Sequence, residues 1–183
     1  MMTSNFDFSI VKEHVYDKCA FEITNFVLEK ESKEYNACAF KINNFLAIAR
    51  KAKITPAKTG QFVTVWKRDT NGLTQAFSIS DGIDFFIINT RSGSYFGQFI
   101  FPKSELVKQG IIATDRKDGK RGFRVYPPWD KANSKQAEKT QKWQLKYFLS
   151  VDIDQPVDLD RAKFLYSKTG ESELRETNQT VNV

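Results

Sequence analysis

The stretch YFGQFIFPK, residues 95–103, decides how the chain is read. It is rich in aromatic side chains, opens after Ser-Gly-Ser and closes at Pro102, the marks of a β-strand. Strand side chains alternate, so Phe96, Gln98 and Ile100 share one face while Phe99 and Phe101 share the other. Apolar groups on both faces predict a central strand covered on both sides. Gln98 is the polar exception. A buried polar group without a partner costs about 1–3 kcal/mol, so Gln98 either ties a structural network together or stands at a site.

Outward from this strand, IDFFII (83–88) reads as a neighbouring strand with Asp84 near its start, and residues 103–109 as a short helix stopped by Gly110. QFVTVWKR (61–68) and GFRVY (122–126) read as two more core strands, the second after a loop over 111–121. Upstream, residues 36–50 predict a β-hairpin turning at Asn43-Asn44, followed by a basic loop, KAKITPAKTG. Phe8, Val11, Val15, Cys19, Ile23 and Phe26 recur at helical spacing and predict a helix over 8–30. Downstream, Asn133 with Gln136 suggests a capping box for a helix over 134–148. The alternation of Trp143, Leu145, Tyr147, Leu149 and Val151 also allows its end to pass into a strand.

The 183 residues suit one domain with a substantial core, fed by 16 Phe, 6 Tyr and 3 Trp. We place that domain at residues 1–150, followed by an acidic, partly flexible tail over 151–183. No apolar run approaches the ~18 residues of a membrane span, and the N-terminus lacks the features of a signal peptide. Two separated cysteines and a single histidine, His14, exclude the common zinc patterns and favour a reduced, cytoplasmic protein. Cys19 reads as core packing. The net charge is +6, yet residues 150–183 carry more acids than bases, so the rest of the chain is strongly basic. Residues 35–68 contain seven bases and no acid, a stretch that suits an anionic partner or a solvated face. Lys135, Lys139, Lys142 and Lys146 fall on one sector of the last helix, either a rail for phosphates or a wet surface.

Known catalytic signatures are missing: there is no phosphate-binding Gly-rich loop, no GxSxG and no HExxH. RGFRVY resembles the start of an RNA-recognition strand, but Arg124 stands where a small residue belongs, so that reading is rejected. DIDQPVDLD is rejected as a calcium loop for want of the sixth-position glycine. The remaining order of elements describes a restriction-endonuclease-like core: an α/β fold whose mixed sheet is flanked by helices, here with an N-terminal helix and β-hairpin added. In that fold an acid on the second core strand and an acid-x-lysine on the third hold Mg²⁺, which favours hard oxygen ligands.

Four blocks, ITPAKTGQFVTVWKRD, FGQFIFPKSELVKQGI, GKRGFRVYPPWD and SKQAEKTQKWQ, resemble the MepB-like family from about Ser32 to Phe148. The family is named after a bacterial protein encoded beside a multidrug efflux pump. The resemblance implies a restriction-endonuclease-like fold and nucleic-acid binding. Measured against the nuclease pattern, Gln98 occupies the second acid's place and Ile100 the lysine's.

The leading expectation is therefore a nucleic-acid-binding protein, DNA ahead of RNA, on a degenerate nuclease fold. Backbone phosphates would be gripped by Lys51, Lys53, Lys58, Lys67 and Arg68, by Arg116, Lys117, Lys120, Arg121 and Arg124, and by the lysine rail 135–146, with Trp129 stacking on a base. The alternative is a nuclease using Mg²⁺ or Mn²⁺ at Asp84, with Gln98, Glu34 and Lys103 completing the site. A third reading is an interaction module linked to drug efflux. The acidic tail is expected to compete with nucleic acid for the basic face.

Overall fold

A computed structural model describes residues 6–167. In chain order its elements begin with α1 (Phe6–Val11), a π-helical turn (Lys12–Tyr16) and β1 (Ile23–Leu28). The hairpins β2 (Cys38–Ile42), β3 (Phe45–Lys51) and β4 (Lys53–Thr55), β5 (Lys58–Thr64) follow, then the short β6 (Trp66–Arg68) and β7 (Thr74–Ala76). The central pair is β8 (Phe85–Ser92) and β9 (Tyr95–Pro102). It leads to α2 (Lys103–Lys108), β10 (Gly122–Val125), α3 (Lys135–Gln144), β11 (Phe148–Ser150) and α4 (Leu159–Leu165).

Six strands form one mixed sheet in the order β1-β2-β3-β8-β9-β11. Its pairs are antiparallel except β3 with β8. The strand over 95–103 is interior to the sheet and buried from Phe96 to Pro102, as its two apolar faces predict. On the Gln98 face lie α1, the π-helical turn and α4, where Tyr166 meets Tyr16 and Phe85 edge-on and Tyr16 packs tilted against Phe40. On the opposite face Phe101 packs against Phe123, Trp143 and Tyr147. The fold is thus a mixed α/β sheet flanked by helices.

Several sequence expectations are corrected. The helix predicted over 8–30 ends early, and Ile23–Leu28 is an edge strand. A bulge between Thr24 and Val27, with Asn25 at φ 54°, brings Ile23 and Phe26 to the inner side three residues apart. An inserted residue in a strand thus mimics helical spacing. The basic loop after the first hairpin is a second hairpin, β4–β5, turning at Pro56. QFVTVWKR divides at Val65: β5 pairs with β10 in a three-stranded sheet, while β6 pairs with β7. GFRVY is therefore a strand of the small sheet, and the sixth place in the main sheet is taken by β11. The helix cap is Ser134, which accepts the Ala137 N–H at 3.1 Å, not Asn133. Two expectations hold in detail. Asn43 and Asn44 both take positive φ at the first hairpin turn, and α2 ends with Gly110 at φ 66° while Ile111 N–H reaches back to Leu106 O.

Residues 159–166 do not hang free. Ala162, Leu165 and Tyr166 are buried against the main sheet. The partly flexible tail, expected over 151–183 to compete for the basic face, lies outside the described residues from 168 to 183.

Candidate nucleic-acid interface

Gln98 lies in the core, paired across the hairpin with Asn89. Its Nε2 donates to Asn89 Oδ1 at 2.8 Å, and its Oε1 accepts the Tyr166 hydroxyl at 3.1 Å. Tyr16 lies 3.1 Å from the same hydroxyl. Tyr166 has one proton and gives it to Gln98, so Tyr16 is the donor there. Burial pushes both phenols above their ordinary pKa, since the phenolate would lose its hydration. Gln98 therefore ties β8, β9, α4 and the π-helical turn together.

The expected nuclease site does not assemble. Asp84 sits at the base of β8, where its carboxylate accepts Leu46 N–H at 3.0 Å and its own N–H donates to Leu46 O. Asn89, the partner of Gln98, is five residues further along, about 16 Å at strand spacing. Glu34 is exposed on a turn just before β2, whose first residue pairs with Ala49. It thus belongs to the far end of β3, away from Leu46 and Asp84. Lys103 follows β9 beside Asp84, but its ammonium is held by the carbonyls of Ile79 and Asp81. These residues do not fit a Mg²⁺ or Mn²⁺ ion. Among the described residues no group of three or more His, Cys, Asp or Glu is placed to share a metal ion.

Many of the predicted phosphate-binding cations already have protein partners. Lys51 faces Asp7 at 3.6 Å, Lys67 pairs with Asp81 at 2.5 Å and Arg68 with Glu31 at 2.7 Å. Lys53 lies over the Tyr35 ring, and Arg121 donates to Thr74 O. Trp129 has one ring face stacked on Tyr95, with centroids 5.3 Å apart and planes at 13°, so the exposed ring of that pair is Tyr95. The rail is shorter than predicted, because α3 ends at Gln144 and Lys146 lies in a 3₁₀ turn. Lys135, Lys139 and Lys142 remain exposed along one side of α3.

Three predicted cations do meet. Lys58, Lys120 and Arg124 line a cleft of about 390 Å³ between the small sheet and α3. The other walls carry the amides of Gln109, Gln136 and Gln144, the hydroxyls of Ser134, Thr140 and Tyr126, and the Trp143 ring. No carboxylate is among the lining residues. The guanidinium of Arg124 is held in place: Nη1 donates to Gly60 O at 3.1 Å and Nη2 to Thr55 Oγ1 at 2.7 Å. Gly60 and Gly122 keep this surface low, for an added Cβ would press on the Tyr126 and Phe62 rings at 2.7 and 2.6 Å. The buried Gln144 closes the floor. It accepts Tyr126 N–H at 2.8 Å and donates to Arg124 O at 2.9 Å, replacing the missing neighbour of β10. Lys117 is close by, its Nζ packed beside Gly110, which adjoins the cleft residues Gln109 and Ile111. Ala137, Thr140 and Gln144 face the cleft, so at 3.6 residues per turn the lysine rail points away on the far side of α3.

The MepB-like family model matches residues 29–150. The chain belongs to the MepB-like family. A solved structure described as the crystal structure of MepB is 34% identical with a TM-score of 0.71, covering 85% of this chain and 99% of that one. A bacterial homing endonuclease aligns at 10% identity over 78% of this chain and 92% of its own, with a TM-score of 0.43, too loose a likeness to support an argument. The search of curated proteins returned no match. All four blocks that carry the MepB-like resemblance supply the cleft: Lys58 comes from the first, Gln109 and Ile111 from the second, Lys120 and Arg124 from the third, and Gln136, Thr140 and Gln144 from the fourth.

Sequence reading missed Asn89, Gln144, Tyr16 and Tyr166. Asn89 had a signal, a polar residue within an apolar strand. The partnership of Gln144 with β10 had none, because it depends on where α3 docks.

Proposed function

We propose that this MepB-like protein binds nucleic acid through backbone phosphates at the cleft between β10 and α3. The observation that supports this is the meeting of Lys58, Lys120 and Arg124 in one concavity whose lining contains no carboxylate. Ammonium and guanidinium groups attract phosphate without selecting bases, so affinity is sequence-tolerant and falls steeply with salt. Lys117, Lys135, Lys139 and Lys142 extend the positive surface around the molecule. DNA is the preferred partner and the cytoplasm the proposed location, where the free, buried Cys19 and Cys38 stay reduced. Cleavage is not part of the proposal, since Asp84, Gln98, Glu34 and Lys103 do not converge.

Fluorescence anisotropy with labelled duplex and single strands at two salt concentrations tests this reading. Lys58→Glu with Lys120→Glu is expected to weaken binding by about tenfold or more. Lys139→Glu with Lys142→Glu has the smaller effect, because those lysines face away from the cleft. No binding at low salt, or binding indifferent to the cleft pair, overturns the proposal.

A further inference from the structure

The cleft is more strongly charged than contact with a duplex backbone requires. Its volume of about 390 Å³ lies within the ~300–1,000 Å³ typical of small-molecule sites. An internal phosphodiester brings one negative charge, whereas a phosphomonoester brings about −1.5 to −2 at neutral pH and three acceptor oxygens. Three cations with no lining carboxylate suit the more highly charged group. Arg124 is fixed by Gly60 and Thr55, so little conformational freedom is lost when its remaining N–H groups meet a phosphate. Trp143 and Tyr126 add aromatic surface for a base, and the amide and hydroxyl groups of Gln136 and Thr140 add polar contacts.

We propose that the cleft takes the phosphomonoester of a nucleotide, either as the phosphorylated end of a strand or as a free nucleotide. This rests on the nucleic-acid reading for the strand-end source only. The test compares short single strands bearing a 5′-phosphate, a 3′-phosphate or hydroxyls at both ends, with AMP and adenosine as competitors. A preference of about tenfold for one phosphorylated end, lost in Lys120→Ala and in Lys58→Ala, supports the strand-end source. Both lysines are exposed, so these variants are expected to fold. Displacement of hydroxyl-ended strands by AMP but not by adenosine, without any end preference, supports the free nucleotide. If no strand binds yet AMP raises the melting temperature of the wild type and not of Lys120→Ala, the cleft is a nucleotide site and the nucleic-acid reading falls. Strand binding with neither end preference nor AMP displacement overturns the phosphomonoester site while leaving the nucleic-acid reading standing. Absence of both strand and AMP binding overturns both.

Discussion

The surroundings of Gln98, which the sequence pattern alone puts in the place of a nuclease's second acid, are those of a structural amide. Both ends of the side chain have partners in the core, Asn89 and Tyr166. Gln98→Leu is expected to lower stability by about 1–3 kcal/mol, the cost of stranding buried polar partners, read by urea denaturation. Gln98→Glu removes the donor to Asn89 and buries a charge at neutral pH, so it destabilises and creates no cleavage. An active Gln98→Glu variant in a nicking assay is the contrary result. Tyr16 and Tyr166 extend the test to alkaline pH. Their folded pKa values are raised above the ordinary value of 10.0, so the folded chain holds protons that the unfolded chain releases. Their contribution is therefore complete below pH 10 and declines as pH rises above it. Phenolate absorbance from these two residues should appear only with unfolding, and Tyr166→Phe should make the alkaline loss of stability shallower.

Among the elements, β10 illustrates how a strand can be predicted correctly and placed in the wrong sheet. Its alternating pattern is visible in GFRVY. Its partner β5 and its side-chain neighbour Gln144 are separated in sequence and meet only because α3 packs behind the small sheet. Gln144→Ala is expected to free the Tyr126 amide, raising its hydrogen-exchange rate and lowering stability by about 1–3 kcal/mol. The β9–β11 pairing has a comparable dependence on Gly97, where any Cβ would collide with the Phe148 ring and the Leu149 carbonyl. Gly97→Ala should therefore loosen β11 first, measurable as faster exchange at Ser150 and Val151. The last helix, α4, acts as a clamp. Arg161 donates to the carbonyls of Leu145, Lys146 and Phe148, joining α4 to the segment that follows α3.

For the molecule as a whole, this clamp changes how the acidic C-terminus should be tested. Removing residues 151–183 also removes Leu165 and Tyr166 from the core, a loss of about 3–6 kcal/mol from those two side chains alone. That is comparable to the total stability of many domains. Such a truncation is expected to unfold at much lower temperature than one ending at Ser167, which keeps both side chains. Only the shorter truncation reports on competition between tail and nucleic acid. The charge distribution makes a second whole-molecule prediction. Each cleft lysine replaced by Ala should flatten the plot of log affinity against log salt by about one unit.

The sequence by itself determined the covered central strand, the Asn43-Asn44 hairpin, the end of α2 at Gly110, the excess of positive charge and the family. Each of these rests on side-chain alternation, local φ preferences or composition, which act over a few residues or need no geometry. Only the tertiary structure decided which cations remain available and where they meet. Lys67 and Arg68 look like Lys58 in the sequence, but acids from distant segments neutralise them while Lys58 stands at the cleft. Asp84 and Gln98 look like a pair fourteen residues apart, yet antiparallel pairing of β8 and β9 sets them well apart along the strands. Register, sheet membership and ion pairing are consequences of long-range packing, and no local pattern specifies them.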